Sequence, residues 1–173
     1  MMRRRIGEFA VLAVAAVVVA MAWTSTHGAA GAATSHTARN PDWTVTVSLA
    51  RSSARVGATI PVTFTIVNTT GHRVRVGGCP GQEYEVVLGN QKVPNRPIEP
   101  ADLCEGWMSP GVHVVHALVA TTYEVCGAPG VPRCGNPPTL SDLPPGVYRT
   151  QILLPTSPMT IPAPAPLTVT LTR

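Results

Sequence analysis

The chain has 173 residues, a formal net charge of +4 and only 13% charged residues, about half the share of a typical soluble domain. Two of the four positive charges belong to an N-terminal segment, and Lys92 is the only lysine. The composition therefore excludes a strongly basic nucleic-acid-binding face, and the length indicates one domain with a hydrophobic core.

The first 32 residues have the pattern of an export signal. Three arginines at 3–5 precede an apolar run from Phe9 to Trp23, and A-G-A at 30–32 offers a cleavage site. The run is shorter than the roughly 20 apolar residues of a usual spanning helix. We predict an apolar helix that is either a cleaved signal peptide or a retained membrane anchor. Both alternatives place the rest of the chain outside the cytoplasm, secreted or in the cell envelope, with membrane contact only through an uncleaved segment.

The remainder of the chain, over 41–173, alternates apolar and polar side chains as half-buried strands do. Residues 33–40 before it are small and polar, and we predict a flexible tether there. Residues 93–111 contain four prolines and are predicted to form a long irregular loop. Seven strands are predicted, over 43–49, 60–66, 74–76, 84–88, 112–122, 147–154 and 167–171. This pattern indicates an all-β fold, a single antiparallel β-sandwich of about seven strands.

Three short motifs add a resemblance to known families. They are V-G-A-T-I-P-V-T-F-T-I-V-N-T-T-G at 56–71, S-P-G at 109–111 and L-P-P-G-V-Y at 143–148. Together they resemble bacterial immunoglobulin-like domains and the BsuPI-like proteinase inhibitors, and the cysteine set with T-T-Y-E-V-C at 121–126 is similar to a group of exported actinobacterial proteins. The resemblance covers 43–172 and implies an immunoglobulin-like sandwich. It leaves Tyr148 two roles, a buried tyrosine-corner-like residue or a solvent-facing side chain.

The four cysteines, Cys79, Cys104, Cys126 and Cys134, predict disulfides, because exported thiols can oxidise and stay oxidised. Four cysteines permit three pairings. We favour Cys126–Cys134, whose intervening glycines and prolines let the ends meet, which leaves Cys79–Cys104. Structural zinc usually needs two cysteines separated by two to four residues, and no pair here is that close. We therefore predict no metal.

Catalytic patterns are missing from the sequence. It contains no G-x-S-x-G motif and no glycine-rich phosphate loop. His113 and His116 are three residues apart, which places them on opposite faces of a strand. We predict that the protein is not an enzyme and that it needs no cofactor.

One loop offers a candidate binding surface. Ile98, Leu103, Trp107 and Met108 are large apolar residues on the proline-rich loop that Cys104 ties down. They either contact a ligand or partner, or fold back over an open end of the sandwich.

Two functions follow from this sequence. The first is an exported or cell-envelope non-catalytic domain that binds or spaces something through its loops, with an unknown protein or envelope component as partner, no nucleic acid and no predicted oligomeric state. The alternative is an extracytoplasmic proteinase inhibitor of the BsuPI-like type. In that case the rigid loop between Cys126 and Cys134 would enter a protease cleft at low entropic cost. The namesake family is intracellular, whereas this chain carries a leader.

Overall fold

The structure, a computed structural model, describes residues 31–77, 84–93, 95–98, 104–137 and 139–173. These residues form ten β-strands and no helix, which confirms the all-β class. The strands are β1 (Thr34–Arg39), β2 (Trp43–Leu49), β3 (Ser53–Arg55), β4 (Thr59–Asn68), β5 (Val74–Gly77), β6 (Glu85–Gly89), β7 (Glu105–Met108), β8 (Gly111–Ala120), β9 (Gly146–Leu153) and β10 (Thr168–Thr172).

The predicted N-terminal helix falls almost entirely outside the described residues, so it stays a prediction. Within the described ranges, no helix has the length and apolar character needed to cross a membrane.

The strands form three sheets. Two have four strands each, in the orders β1-β2-β4-β8 and β3-β10-β9-β6, and β5 and β7 form a two-stranded ribbon. Every pair is antiparallel except β10 with β3, which are parallel. The prediction of an entirely antiparallel arrangement is therefore wrong at β3. Strand β3 follows β2 after a short turn but lies in the other four-stranded sheet. There it pairs with β10 in a parallel register.

Alternation along β2 and β4 explains how these central strands pack. On β2, Trp43, Val45, Val47 and Leu49 are buried, while the threonines and the serine between them are partly exposed. The inward side chains of β4 lie opposite them across the sheet, with Phe64 facing Val47. A period of two places every second residue on the same face. The apolar halves of both strands therefore reach the core together.

Buried residues from both four-stranded sheets belong to one hydrophobic cluster. Phe64 of β4 packs against Tyr84, with ring centroids 5.3 Å apart and a tilted geometry. Tyr148 of β9 is also buried, and its hydroxyl donates a 2.6 Å hydrogen bond to the Pro144 carbonyl. Of the two roles considered for Tyr148, the buried one with a hydrogen bond to nearby backbone is confirmed.

The tether predicted over 33–40 is wrong for Thr34–Arg39, which form strand β1. This strand pairs along its whole length with β2, and the Thr37 and Thr46 hydroxyls are hydrogen-bonded 2.8 Å apart. The His36 ring is also hydrogen-bonded to the Ala165 carbonyl. An edge strand that is held by main-chain hydrogen bonds needs no alternation of apolar side chains. The small, polar composition of 33–40 therefore gave no sign of a strand.

The prediction of seven strands is also too low, because β1, β3 and β7 were missed. Strand β3 has three residues, fewer than a period-two pattern needs to be recognised. Strand β7 lies inside the segment 93–111 that its prolines predicted to be an irregular loop. Only four residues of that segment pair with β5, and the turn at 109–110 leads directly into β8.

Candidate binding site on the β5–β7 ribbon

The β5–β7 ribbon has one buried face and one exposed face. Its register pairs Val74 with Met108 and Arg75 with Trp107. Val74, Val76 and Met108 are buried in the hydrophobic cluster. The alternate residues, Arg75 and Trp107 among them, are therefore directed outward. The ribbon is fixed to the core through one face and presents the other to solvent.

Trp107 is displayed on that outer face with 60% of its surface exposed. The guanidinium carbon of Arg73 lies 4.8 Å from the centroid of the Trp107 ring, a cation–π contact. Such a contact at an exposed site contributes about 0.5–1 kcal/mol. Next to it, Arg75 forms an ion pair with Glu105 across the two strands. Arginine, tryptophan and glutamate side chains therefore make up one continuous polar and aromatic surface.

Hydrogen bonds at both ends keep the ribbon in place. The buried Asn68 side chain at the end of β4 donates to the carbonyls of His72 and Met108, 3.0 Å each. At the other end, the Gly77 N–H donates to the Thr156 carbonyl at 2.7 Å. These bonds attach the ribbon to the end of β4 and to the segment that follows β9. The outer face is therefore held before any partner arrives.

A shallow cleft of about 280 Å³ adjoins the ribbon. Its lining combines one guanidinium, one carboxylate and two hydroxyl side chains, and the lining residues are Arg75, Gly77, Cys104, Glu105, Thr156, Ser157 and Pro158. The Ser157 hydroxyl also donates to the Arg75 carbonyl. The cleft can therefore offer hydrogen-bonding groups beside the exposed ring.

The residues predicted for the binding loop differ in their exposure to solvent. Trp107 is on the exposed face, whereas Met108 is buried and packs in the core. Ile98 is exposed on a different element, where its N–H donates to the Glu85 carboxylate on β6. Leu103 lies outside the described residues. Trp107 is thus displayed, and the alternative in which it folds back over the sandwich is wrong for this residue.

The predicted pairing of Cys126 with Cys134 is confirmed, with Cα atoms 5.1 Å apart. The Gly127 N–H donates to the Pro132 carbonyl inside the closed loop. Cys104 is not a free thiol. Its predicted partner, Cys79, lies outside the described residues, so that pairing stays a prediction.

Two carboxyl groups meet away from the ribbon. Glu85 of β6 and Glu124 are hydrogen-bonded to each other through their side chains. Burial raises the pKa of Glu85, against the lowering effect of the Ile98 N–H and of Glu124. Burial also raises the pKa of Glu124, and the Glu85 charge adds to the effect. The pair therefore holds a proton more firmly than two exposed glutamates would.

The histidines do not form a shared site. His113 is hydrogen-bonded to the Ser109 carbonyl, and His116 to the Thr63 hydroxyl. Among the residues that the structure describes, no three potential ligands of the His, Cys, Asp and Glu types come close enough to hold a metal ion.

Sequence reasoning missed most of this surface. Trp107 was a candidate from the sequence, but its neighbours Arg73, Arg75 and Glu105 were not. The signal that could have located the ribbon is the alternation R-V-R-V at 73–76, which needs a second short strand opposite it.

Comparison with protein families, curated proteins and solved structures found no match to this chain.

Proposed function

We propose that the chain is an exported, non-catalytic domain of immunoglobulin-like architecture that binds a partner through the outer face of the β5–β7 ribbon. The observation that carries the proposal is the display of Trp107 on a ribbon whose other face is buried in the core. Tryptophan and arginine are the residues most enriched at energetically dominant positions of protein interfaces. A fixed tryptophan with an arginine on its ring loses little conformational freedom when a partner binds.

The strand order supports the immunoglobulin-like architecture. In such domains the sheets contain strands A-B-E-D and C-F-G. Here β2-β4-β8 corresponds to A-B-E, and β6-β9-β10 corresponds to C-F-G. Tyr148 lies near the start of β9, the strand that corresponds to F, and its hydroxyl donates to backbone four residues upstream. This is the arrangement of a tyrosine corner. The single hydrophobic cluster drawn from both sheets supports face-to-face packing.

The disulfide and the leader support export. The bond between Cys126 and Cys134 is consistent with an oxidising, extracytoplasmic location. The arginines and apolar run at the N-terminus are the pattern of a signal peptide or an N-terminal anchor. The proposed partner is therefore a protein or an envelope component outside the cytoplasm.

The test compares binding of the labelled full chain to cell envelopes and secreted proteins of the organism that makes it. Trp107→Ser removes the displayed ring and is expected to weaken binding at least about tenfold, or about 1.4 kcal/mol. Leu118→Ser is the matched control, because Leu118 is 63% exposed on β8 in another sheet. Both variants should unfold at the same midpoint as the unaltered chain. Equal binding by Trp107→Ser and Leu118→Ser contradicts the proposed site.

A second candidate function, an extracytoplasmic proteinase inhibitor, is favoured by the disulfide-closed loop. The loop from Cys126 to Cys134 is braced by backbone hydrogen bonds from Gly127 to Pro132 and from Val131 to Ala128. Arg133 is exposed directly before the second cysteine. A braced loop that presents an arginine fits proteases whose specificity pocket holds an aspartate.

The inhibitor function is tested with a panel of serine proteases and the full chain. We expect slower hydrolysis of peptide substrates by proteases that cleave after arginine, and recovery of the rate with Arg133→Ala. Full activity of every protease at a saturating concentration of the chain would remove this candidate. Trp107→Ser serves as the control that should inhibit normally.

A further inference from the structure

We propose that the outer face of the ribbon recognises an acidic protein segment, in which a carboxylate binds Arg73 and an apolar side chain packs on Trp107. This inference rests on the proposed function and adds the chemical class of the partner. The evidence is the charged side chains of this face and the partner that each one has: Glu105 for Arg75 and the Trp107 ring for Arg73.

Arg73 is a cation with its donors available. Its side chain is exposed, and its contact in the structure is with the Trp107 ring. Within the described ranges it forms no ion pair and none of its N–H groups has a hydrogen-bond acceptor. A guanidinium carries five N–H donors in a fork that matches a carboxylate. A carboxylate from another molecule can replace water on two of these donors at once.

Arg75 shows the contrast on the same face. Its guanidinium is paired with Glu105, so its charge is already balanced. Two arginines and one glutamate leave this surface with an excess of positive charge at Arg73. Charge complementarity of this kind steers an acidic partner toward the site and selects against basic ones.

The distribution of cations favours a protein segment over a polyanion such as polyphosphate. A polyanion gains affinity by neutralising several neighbouring charges at once, and among the described residues of this face Arg73 is the one arginine without an ion pair. A protein segment can instead offer one carboxylate for Arg73 and an apolar side chain for the indole. The cleft beside the ribbon adds the Thr156 hydroxyl as a further hydrogen-bonding group for its main chain, whereas the Ser157 hydroxyl is already bonded to Arg75 and Met159.

Intrinsic fluorescence can follow binding at this face, because Trp107 is displayed there while Trp43 is fully buried, and the Trp107→Phe variant separates its emission from that of Trp43 and Trp23. The probes are a synthetic peptide of four glutamates around a leucine, the same peptide with glutamines, and inorganic polyphosphate. With the full chain, we expect the glutamate peptide to shift the Trp107 emission to shorter wavelength with saturation. The glutamine peptide should bind about threefold more weakly or worse, the loss expected when a solvent-exposed charge pair is removed. Trp107→Phe should show no shift.

Two arginine variants test the role of Arg73. Arg73→Gln should weaken binding of the glutamate peptide about threefold or more, whereas Arg149→Gln, at an exposed arginine on β9, should bind normally. Affinity should fall as salt is raised, because the pair is exposed to solvent. Equal binding of the glutamine peptide, unchanged binding by Arg73→Gln, or tighter binding of polyphosphate than of the peptide would each overturn the inference.

Competition separates this inference from the function on which it rests. When Trp107→Ser abolishes binding to the native envelope or secreted partner and the glutamate peptide competes for that binding, both hold. When Trp107→Ser abolishes partner binding but an excess of the peptide does not compete, the acidic class is wrong and the binding face stands. When Trp107→Ser binds normally, the proposed function fails, and the inference fails with it.

Discussion

Replacing Cys126 and Cys134 together by alanine is expected to lower the free energy of unfolding by about 2.5 kcal/mol. The two cysteines lie eight positions apart in the chain, and the loop-closure relation gives about 2.5 kcal/mol for a loop of that length at 25 °C. The loop is part of the packed structure, because Val131 contacts the hydrophobic cluster. Backbone hydrogen bonds also join the flanking segments, from Tyr123 to Ser141 and from Leu143 to Thr121. Without the disulfide, the unfolded chain gains conformational entropy in this segment, and folding must remove that entropy again.

The measurement is chemical denaturation of the unaltered chain and the double variant, followed by circular dichroism. Thermal unfolding is a second measurement, and for a domain of this size a loss of 2.5 kcal/mol corresponds to a thermal midpoint lower by about 10 °C. The double variant is preferred to a reductant because a reductant would also open any bond at Cys104. An unchanged midpoint, with the unaltered protein shown by mass to be oxidised at both positions, would refute the assignment of this bond as a structural crosslink.

Three further predictions concern the core and the carboxyl pair. Tyr148→Phe removes the hydroxyl that donates to Pro144 and should cost about 1 kcal/mol in denaturant unfolding; no change would deny the hydrogen bond a stabilising role. Phe64→Ala removes a fully buried ring and should cost about 3–5 kcal/mol, and a cost below that of Tyr148→Phe would contradict the packing. Because Glu124 has a raised pKa, the native state binds more protons than the unfolded chain, so stability should fall as pH rises above about 4.3. Glu124→Gln should flatten that fall when unfolding is measured from pH 4 to 8, and a profile as steep as that of the unaltered chain would count against the pair.

The strands that the sequence predicts well are those whose hydrophobic pattern also fixes their place in the core. On β2, burial alternates residue by residue from Trp43 to Leu49, as the period of two requires. The same holds for the inward residues of β4, including Phe64. In such strands a shift by one residue would expose the whole apolar set, so sequence and structure are closely tied.

The elements that the sequence missed are held by contacts that no local pattern encodes. Strand β1 has small and polar side chains and exists because β2 offers an unpaired edge. Strand β7 depends on β5, which lies about thirty residues earlier in the chain. The Arg73–Trp107 contact needs both strands in register, and this is why Trp107 could be identified as a candidate while its contact with Arg73 could not.

The structure also exposes an apolar surface on β8. Comparing it with the outer face of the ribbon explains why the ribbon is preferred as the binding face. On β8, Val112, Val114 and Leu118 are exposed on the terminal strand of a four-stranded sheet. That strand contains no Asp, Glu, Lys or Arg, and His116 on its exposed face is already hydrogen-bonded to Thr63, so the surface offers apolar area without a charged group. Trp107 instead has Arg73 over its ring, which covers part of the indole in the free protein and orients a cation beside it. The contact that covers part of the Trp107 ring thus also holds a positive charge where a partner with a negative charge can bind.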